Sequence, residues 1–225
     1  ELSLYDTWYG GIGSVTRISC DTVNHTVLAT VPQTGELLTL DVNGGILSSV
    51  TSMERPAAVA AMGNGCLIAD GRAVRKIAMD GSIEFVLGQS DSFFVGPHDV
   101  AASASGHIFV ADADNTVKVF DASGNYLSQF GGHGWFNGRM DVPVALAVND
   151  ARGELSLSDQ NNYRVQAFSF YGDSISHWGV IGNGNYAPAE FLRPWGLDVD
   201  VLGRIWVWDA LLDAVQVFSP QGDFL

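Results

Sequence analysis

Four aspartates recur along the chain, each five or six residues after a turn glycine and at the end of an apolar stretch: Asp70, Asp112, Asp159 and Asp209. Because each follows the same kind of strand-like stretch, their carboxylates project toward one face of the molecule. A ring of carboxylates could hold a cation such as Ca²⁺. Alternatively, each aspartate accepts backbone N–H groups of its own turn. Recurrence favours the structural role, since a single active site would not need several copies.

His98 and Asp99 form a second candidate, directly after Pro97 at the start of an apolar stretch. The place of His98 is taken in other parts of the chain by Ala57, Val144 and Trp195. Zinc needs three or four ligands at about 2 Å, and this position supplies one imidazole. We therefore expect His98 and Asp99 to contribute to a binding site, or His98 to be held by a hydrogen bond. Whether they would bind Ca²⁺ or Zn²⁺ stays open.

Aromatic residues in the segments between strands form a third group: Trp135, Phe136, Tyr186 and Trp195. Large amphipathic rings anchor many protein interfaces. Trp135, Tyr186 and Trp195 are therefore predicted to lie on a recognition surface. Packing between neighbouring strands is the alternative for all of them.

A repeated pair, an apolar residue followed four positions later by glycine, organises these candidates. The glycines are Gly44, Gly81, Gly124, Gly172 and Gly222. They advance by 37, 43, 48 and 50 residues, and a fixed local spacing inside such a period indicates a repeat architecture. Each glycine supplies the positive φ of a tight turn between the last two strands of a unit. Units of four antiparallel strands, without helical periodicity, predict an all-β protein whose units are the blades of a β-propeller.

The units resemble NHL repeats. The resemblance is carried by residues 97–100, 106–112, 117–121 with Gly124, 157–159 and 162–168. It covers nearly the whole chain and implies an NHL-type propeller, but it implies no particular activity. The chain resembles more distantly the peptidyl-α-hydroxyglycine lyase propellers, and that likeness implies zinc held by histidines from several blades. Lactonase-like propellers offer a similar analogy with calcium.

We expect one propeller domain over residues 1–225. The repeats cover about 12–51, 53–88, 94–131, 140–179 and 191–225. Residues 1–9 look like the outer strand of a blade, while the fifth repeat has already begun its own outer strand at Asp223. The sequence thus predicts five repeats and six blades when complete, with 1–9 in the closing blade and its inner strands beyond residue 225. A closed five-bladed ring is the alternative.

The balance of charge limits the classes of partner. The chain has 25 acidic and 11 basic residues, a net charge of −14, and 47% hydrophobic residues. Scattered basic residues disfavour nucleic acid, which requires clustered Lys and Arg, and also disfavour an anionic membrane. No stretch approaches the roughly 20 apolar residues of a membrane span. Other proteins are the predicted partners, and the acidic, lysine-poor composition favours an extracellular or periplasmic location.

The two cysteines, Cys20 and Cys66, are predicted to be unpaired buried thiols, with a disulfide as the alternative. The chain contains no Cys-x-x-Cys-His sequence, so it predicts no covalent haem. We expect no resident cofactor beyond the open question of a Ca²⁺ or Zn²⁺ ion.

These observations favour a non-enzymatic propeller that serves as a protein interaction scaffold or as a subunit of a larger assembly. The alternative is a metal-dependent lyase or lactonase-like hydrolase with its site at the channel mouth, around His98 and Asp99. The scaffold is preferred because no enzyme motif in the chain is complete.

Overall fold

The computed structural model describes residues 15–51, 53–88, 93–184 and 187–225. Nearly all regular structure in these ranges is β-strand, arranged as five antiparallel blades that follow one another along the chain. The all-β propeller fold and the five repeats predicted from the sequence are confirmed. Residues 1–9, predicted as the outer strand of a closing blade, lie outside the described residues, and a sixth blade remains a prediction.

Each of the first four blades is a meander of four strands in sequence order, from the innermost to the outermost. Blade 1 contains β1 (Arg17–Asp21), β2 (Thr26–Val31), β3 (Glu36–Leu40) and β4 (Ile46–Val50). Blade 2 contains β5 (Pro56–Ala61), β6 (Gly65–Asp70), β7 (Ala73–Ala78) and β8 (Ile83–Leu87). Blade 3 contains β9 (Pro97–Ala102), β10 (Ile108–Asp112), β11 (Thr116–Phe120) and β12 (Tyr126–Gly131). Blade 4 contains β13 (Pro143–Asn149), β14 (Glu154–Asp159), β15 (Arg164–Ser169) and β16 (Ser174–Trp178).

Blade 5 follows a longer connection. A short parallel pair, β17 (Val180–Ile181) with β18 (Glu190–Phe191), links it to blade 4. Its three strands are β19 (Pro194–Val199), β20 (Ile205–Asp209) and β21 (Ala214–Phe218), and a bridge from Phe218 to Phe224 begins the fourth. One helical turn, Gln160–Asn162, joins β14 to β15. No helix in the described part of the chain has the length and apolar character of a membrane span.

The hydrophobic core lies between the blades. Leu67 and Val74 of blade 2 share one buried cluster with Ile108 and Phe120 of blade 3. Equivalent clusters join blade 3 to blade 4 and blade 4 to blade 5. Burying one large apolar side chain contributes about 1.5–3 kcal/mol. The middle strands of a blade are therefore apolar on both faces, because each face meets a neighbouring blade.

The glycine of the repeated pair is required for packing as well as for the turn. Gly172 has a φ of +92°, and a Cβ there would lie 2.7 Å from Phe130 on the outer strand of the preceding blade. Gly124 meets Phe85, and Gly222 meets Trp178, in the same way. The outer strand of one blade thus rests against the turn glycine of the next, which explains why a residue without a side chain recurs there.

Replacing Gly172 with alanine should therefore destabilise the protein by about 2–4 kcal/mol, because the new methyl group adds steric overlap to backbone strain. Gly153→Ala is the matched control in the same blade, with a φ of +65° and nothing within 4 Å of the new Cβ. It should cost only about 1–2 kcal/mol of backbone strain. Urea unfolding of the two variants measures the difference, and equal losses would show that the contact with Phe130 is unimportant.

Candidate functional site

Asp112 illustrates how the repeat aspartates are used. Its carboxylate accepts backbone N–H groups from Val95 (3.0 Å) and Gly96 (2.7 Å), which lie in the loop leading into β9. The Nζ of Lys118, on the adjacent third strand, is buried with it at 2.6 Å. A buried carboxylate needs such partners to offset the loss of hydration. The side chain therefore attaches the inter-blade loop to the blade that follows it.

The other repeat aspartates bind their loops in the same way. Asp70 accepts the N–H of Arg55 and pairs with Arg75, and Asp159 accepts the N–H of Asp141 and pairs with Arg164. Asp209 accepts N–H groups of Leu192, Arg193, Leu211 and Leu212. Within the described ranges, no group of three or more His, Cys, Asp or Glu side chains is placed to hold a metal ion. The carboxylates bind separate loops and do not converge on a common cation.

His98 lies in a β-bulge. Asp112 pairs with Pro97 and Ala111 with Asp99, so His98 between them has no partner on β10. The same shift follows the first proline of the inner strand in blades 2, 4 and 5. The His98 Nδ1–H donates to the Pro143 carbonyl at 2.8 Å, which links blades 3 and 4. His98 is not among the described residues that line the central cavity, whereas Asp99 is. The two neighbours are thus directed to different places.

The inner strands β1, β5, β9, β13 and β19 enclose a central cavity of about 1260 Å³. Asp99 lies in its wall, where its carboxylate accepts the N–H of Leu146 at 2.8 Å. The guanidinium of Arg17 reaches across from blade 1, with Nε 3.8 Å from Asp99, and donates to the Val144 carbonyl at 2.7 Å. Burial raises the pKa of Asp99, Arg17 opposes that shift, and the Asp198 carboxylate adds to it. Arg17 was not predicted as a site residue, since the first repeat matches the pattern poorly.

An exposed groove of about 780 Å³ lies at the outer edge of blades 4 and 5. Trp135 and Phe136 form its most prominent wall, with stacked rings 4.1 Å apart and exposures of 70% and 62%. Val180 and Ile181 are exposed beside them, and His177 lines the same groove. The sequence identified Trp135 and Phe136, but it did not indicate that β17 would be placed next to them.

Side chains of blade 4 hold the loop that carries the two rings. The Arg164 Nη2 donates to the carbonyls of Phe136 (3.0 Å) and Arg139 (2.9 Å). The side-chain carbonyl of Gln166 accepts the N–H of Gly138 at 3.0 Å, and the Asn162 amide donates to the Gly134 carbonyl at 2.9 Å. Arg164 also pairs with Asp159, so the repeat aspartate and the aromatic loop belong to one network.

The other two predicted aromatic residues do not join this groove in the described structure. Trp195 occupies the bulge position of blade 5, and the Arg193 guanidinium lies over its ring at 4.7 Å. Tyr186 falls outside the described residues. Of the predicted recognition residues, the structure therefore places only Trp135 in the groove, together with Phe136.

Both cysteines are free thiols. Cys66 is buried in β6, and burial raises its pKa to about 12. Cys20 is exposed on β1, although desolvation by neighbouring groups and the Asp198 carboxylate also raise its pKa. The prediction of buried thiols is therefore wrong for Cys20, because the face of β1 that carries it opens into the central cavity.

Curated proteins with similar sequences include two NHL-repeat proteins. The chain is 28% identical to the protein brain tumor of Drosophila melanogaster over 140 residues, 61% of this chain and 13% of that protein. It is 30% identical to the B-box type zinc finger protein ncl-1 of Caenorhabditis elegans over 141 residues, 61% of this chain and 16% of that protein. The NHL-repeat resemblance is confirmed.

The predicted distant likeness to lyase propellers is also found. A probable peptidyl-alpha-hydroxyglycine alpha-amidating lyase, pgal-1 of Caenorhabditis elegans, is 34% identical over 99 residues, 42% of this chain and 28% of that protein. The matched segments thus span only a small part of each relative's length. No protein-family model matches the chain.

Solved structures support the fold alone, since their sequence identities are low. A gluconolactonase from Xanthomonas campestris superposes with a TM-score of 0.74 at 17% identity, covering 94% of this chain and 74% of that one. Streptogramin B lyase gives 0.72 at 13% identity, covering 97% and 70%. The WD40 propeller domain of Doa1 gives 0.69 at 13% identity, covering 96% and 68%. Because these neighbours differ in their described roles, the shared fold does not choose between an enzyme and a binding module.

Asp112→Asn should destabilise the protein by about 3 kcal/mol, because Lys118 would lose its principal buried counter-charge. The matched control is Asp121→Asn, which changes an exposed turn aspartate of the same blade and should cost about 0.5 kcal/mol or less. Chemical denaturation compares the two. A similar small loss for both variants would contradict the proposed anchoring role of Asp112.

Thiol titration of the native protein at neutral pH should detect one accessible cysteine. Cys20 should react with Ellman's reagent, and Cys66 should react only after unfolding, because it is buried and its pKa is about 12. Cys20→Ser should remove the native-state reaction. Two reactive thiols in the native state, or none in the unfolded protein without reductant, would contradict the structure.

Proposed function

We propose that this NHL-type propeller is a non-enzymatic interaction scaffold that binds another protein at the groove lined by Trp135 and Phe136. The main support is that two stacked aromatic rings stay exposed while hydrogen bonds from blade 4 fix the loop beneath them. Rings held in place lose little conformational freedom on binding, which favours affinity. Aromatic side chains of this kind often supply most of an interface's binding energy.

Charge specifies the chemistry of the partner. Seven of the eleven basic residues pair with acids in the structure, which leaves little positive charge free on a chain of net charge −14: Arg17, Arg75, Lys76, Lys118, Arg152, Arg164 and Arg204. Complementary charge speeds and directs association. The proposed partner is therefore a protein segment with an apolar side chain for the groove and basic residues around it. Nucleic acid and anionic membranes are not proposed.

The site of action and the assembly also belong to this proposal. We propose an extracellular or periplasmic protein that works as one module of a larger assembly. The support is its acidic, lysine-poor composition. The curated relatives are much longer than the segments that match, so their own activities are not carried over to this chain.

A metal-dependent lyase or lactonase-like hydrolase is the second candidate. The lyase relative, the gluconolactonase and streptogramin B lyase neighbours and an open central cavity containing Asp99 support it. Asp99 is, however, engaged by Arg17 and Leu146, and the described residues supply no cluster of three metal ligands. The residues present therefore do not fit a metal site, and the scaffold is preferred.

Selection of peptides from a random library against the immobilised chain tests the groove. Binders should be enriched in an aromatic or aliphatic residue flanked by Arg or Lys. The double variant Trp135→Ala/Phe136→Ala should weaken their binding about thirtyfold or more, because it removes the central aromatic contacts. Isothermal titration calorimetry measures the affinities.

Tyr171→Ala provides the matched control, since Tyr171 is another exposed aromatic residue outside the groove. It should leave the affinity unchanged. Equal weakening by both variants, or binding unaffected by the double variant, would overturn the assignment of the groove. Turnover of a simple lactone that disappears in Asp99→Asn would instead support the enzyme.

A further inference from the structure

Blade 5 exposes the face that other blades cover. In blades 2, 3 and 4 the corresponding face packs against the next blade. In blade 5 this face carries Trp206, Trp208 and Val215, which are 40%, 43% and 55% exposed. All three line the central cavity, which therefore extends sideways past this blade.

The residues on this face depart from those of the other blades. The residue before the repeat aspartate is small and fully buried in blades 2 to 4: Ala69, Ala111 and Ser158. Blade 5 has Trp208 there. The inner strand shows a similar change, with Asp198 where the other blades have Ala60, Ala101 and Ala147. Small residues allow blades to approach closely, so a tryptophan and a carboxylate make this a different kind of surface.

Strand register places the two unusual side chains together. Asp198 pairs with Trp206, and Gly196 pairs with Trp208, on the same face of the antiparallel strands β19 and β20. Asp198 and Trp208 are thus diagonal neighbours, about 7–8 Å apart by backbone geometry. Gly196 has no side chain to fill the space between them. The Asp198 carboxylate accepts the N–H of Val199 at 2.8 Å, and no described Lys or Arg forms a salt bridge with it.

The adjacent residues of the same blade show what such a pair binds. The guanidinium of Arg204 lies over the Trp206 ring at 5.5 Å while its Nε contacts the Asp200 carboxylate at 2.6 Å. An arginine is thus held between a tryptophan and an aspartate within the chain. Trp208 and Asp198 offer the same two groups, and no cation lies over Trp208 among the residues that the structure describes.

We propose that Trp208 and Asp198 bind an arginine side chain from a basic segment of a partner protein. The ring receives the planar guanidinium by a cation–π contact, and the carboxylate pairs with its charge. The net charge of −14 favours the approach of such a segment. This site is separate from the groove at Trp135 and does not depend on the function proposed for that groove.

A short glycine–arginine peptide and its citrulline analogue test the site. Citrulline keeps the shape of arginine but lacks the charge. The arginine peptide should bind and quench tryptophan fluorescence, and the citrulline peptide should bind at least about tenfold more weakly. Asp198→Asn and Trp208→Ala should each weaken the arginine peptide about fivefold, which corresponds to one cation–π contact or one exposed ion pair.

Two control variants separate this site from general effects. Asp213→Asn removes one charge elsewhere on blade 5, and Trp135→Ala removes an exposed tryptophan of the other groove; neither should change the affinity. Equal weakening by Asp213→Asn and Asp198→Asn, no effect of Trp208→Ala, or no binding of the arginine peptide would each overturn the proposal. So would a concentration-dependent dimer that Trp208→Ala dissociates, because a second copy would then occupy the face. Unchanged melting temperatures verify that the variants fold.

Discussion

The propeller depends on a buried carboxylate at the end of the second strand of a blade. In blades 2 to 5 this aspartate accepts N–H groups from the loop that enters its own blade. An unpaired buried charge would be costly, so its partners are constrained as well. Lys118, Arg164 and Arg75 supply a positive charge from the third strand, whereas Asp209 relies on four backbone donors. The interaction therefore couples strand, loop and neighbouring blade.

The same constraint leads to the proposed function. Arg164 neutralises Asp159 and also binds two carbonyls of the loop that carries Trp135 and Phe136. A residue needed for the fold thus determines the position of the exposed rings. The groove is rigid because its support is part of the blade architecture. The central cavity has a different character, since Arg17 and Asp99 neutralise each other across it.

The sequence predicted the fold well because the decisive interactions are local and repeated. The apolar–glycine pair marks a turn whose glycine also contacts the preceding blade, and the aspartate marks the end of a strand. Both signals remain visible in a single sequence. The site was harder to predict. The bulge that separates His98 from Asp99 follows the register of β9 against β10, which the sequence pattern does not reveal.

Long-range placement accounts for the remaining differences. Val180–Ile181 reaches the aromatic loop through its parallel pairing with Glu190–Phe191, a contact that no local pattern indicates. Arg17 lies in the least regular repeat, and its contacts with Asp99 and Val144 cross the propeller. Trp206 and Trp208 alternate with buried residues as in any strand, so their exposure depends on what lies beside blade 5. These features require tertiary structure.

Amide hydrogen exchange of the loops that precede the inner strands tests the central account most directly. The N–H groups of Gly96, Asp141 and Arg193 lie outside the strands but donate to repeat aspartates. The account predicts that they exchange as slowly as amides in the middle of a blade, because they open only when the blade opens. Exchange at the rate of an exposed loop would show that the aspartates do not hold these loops, and would contradict the rigid recognition surface.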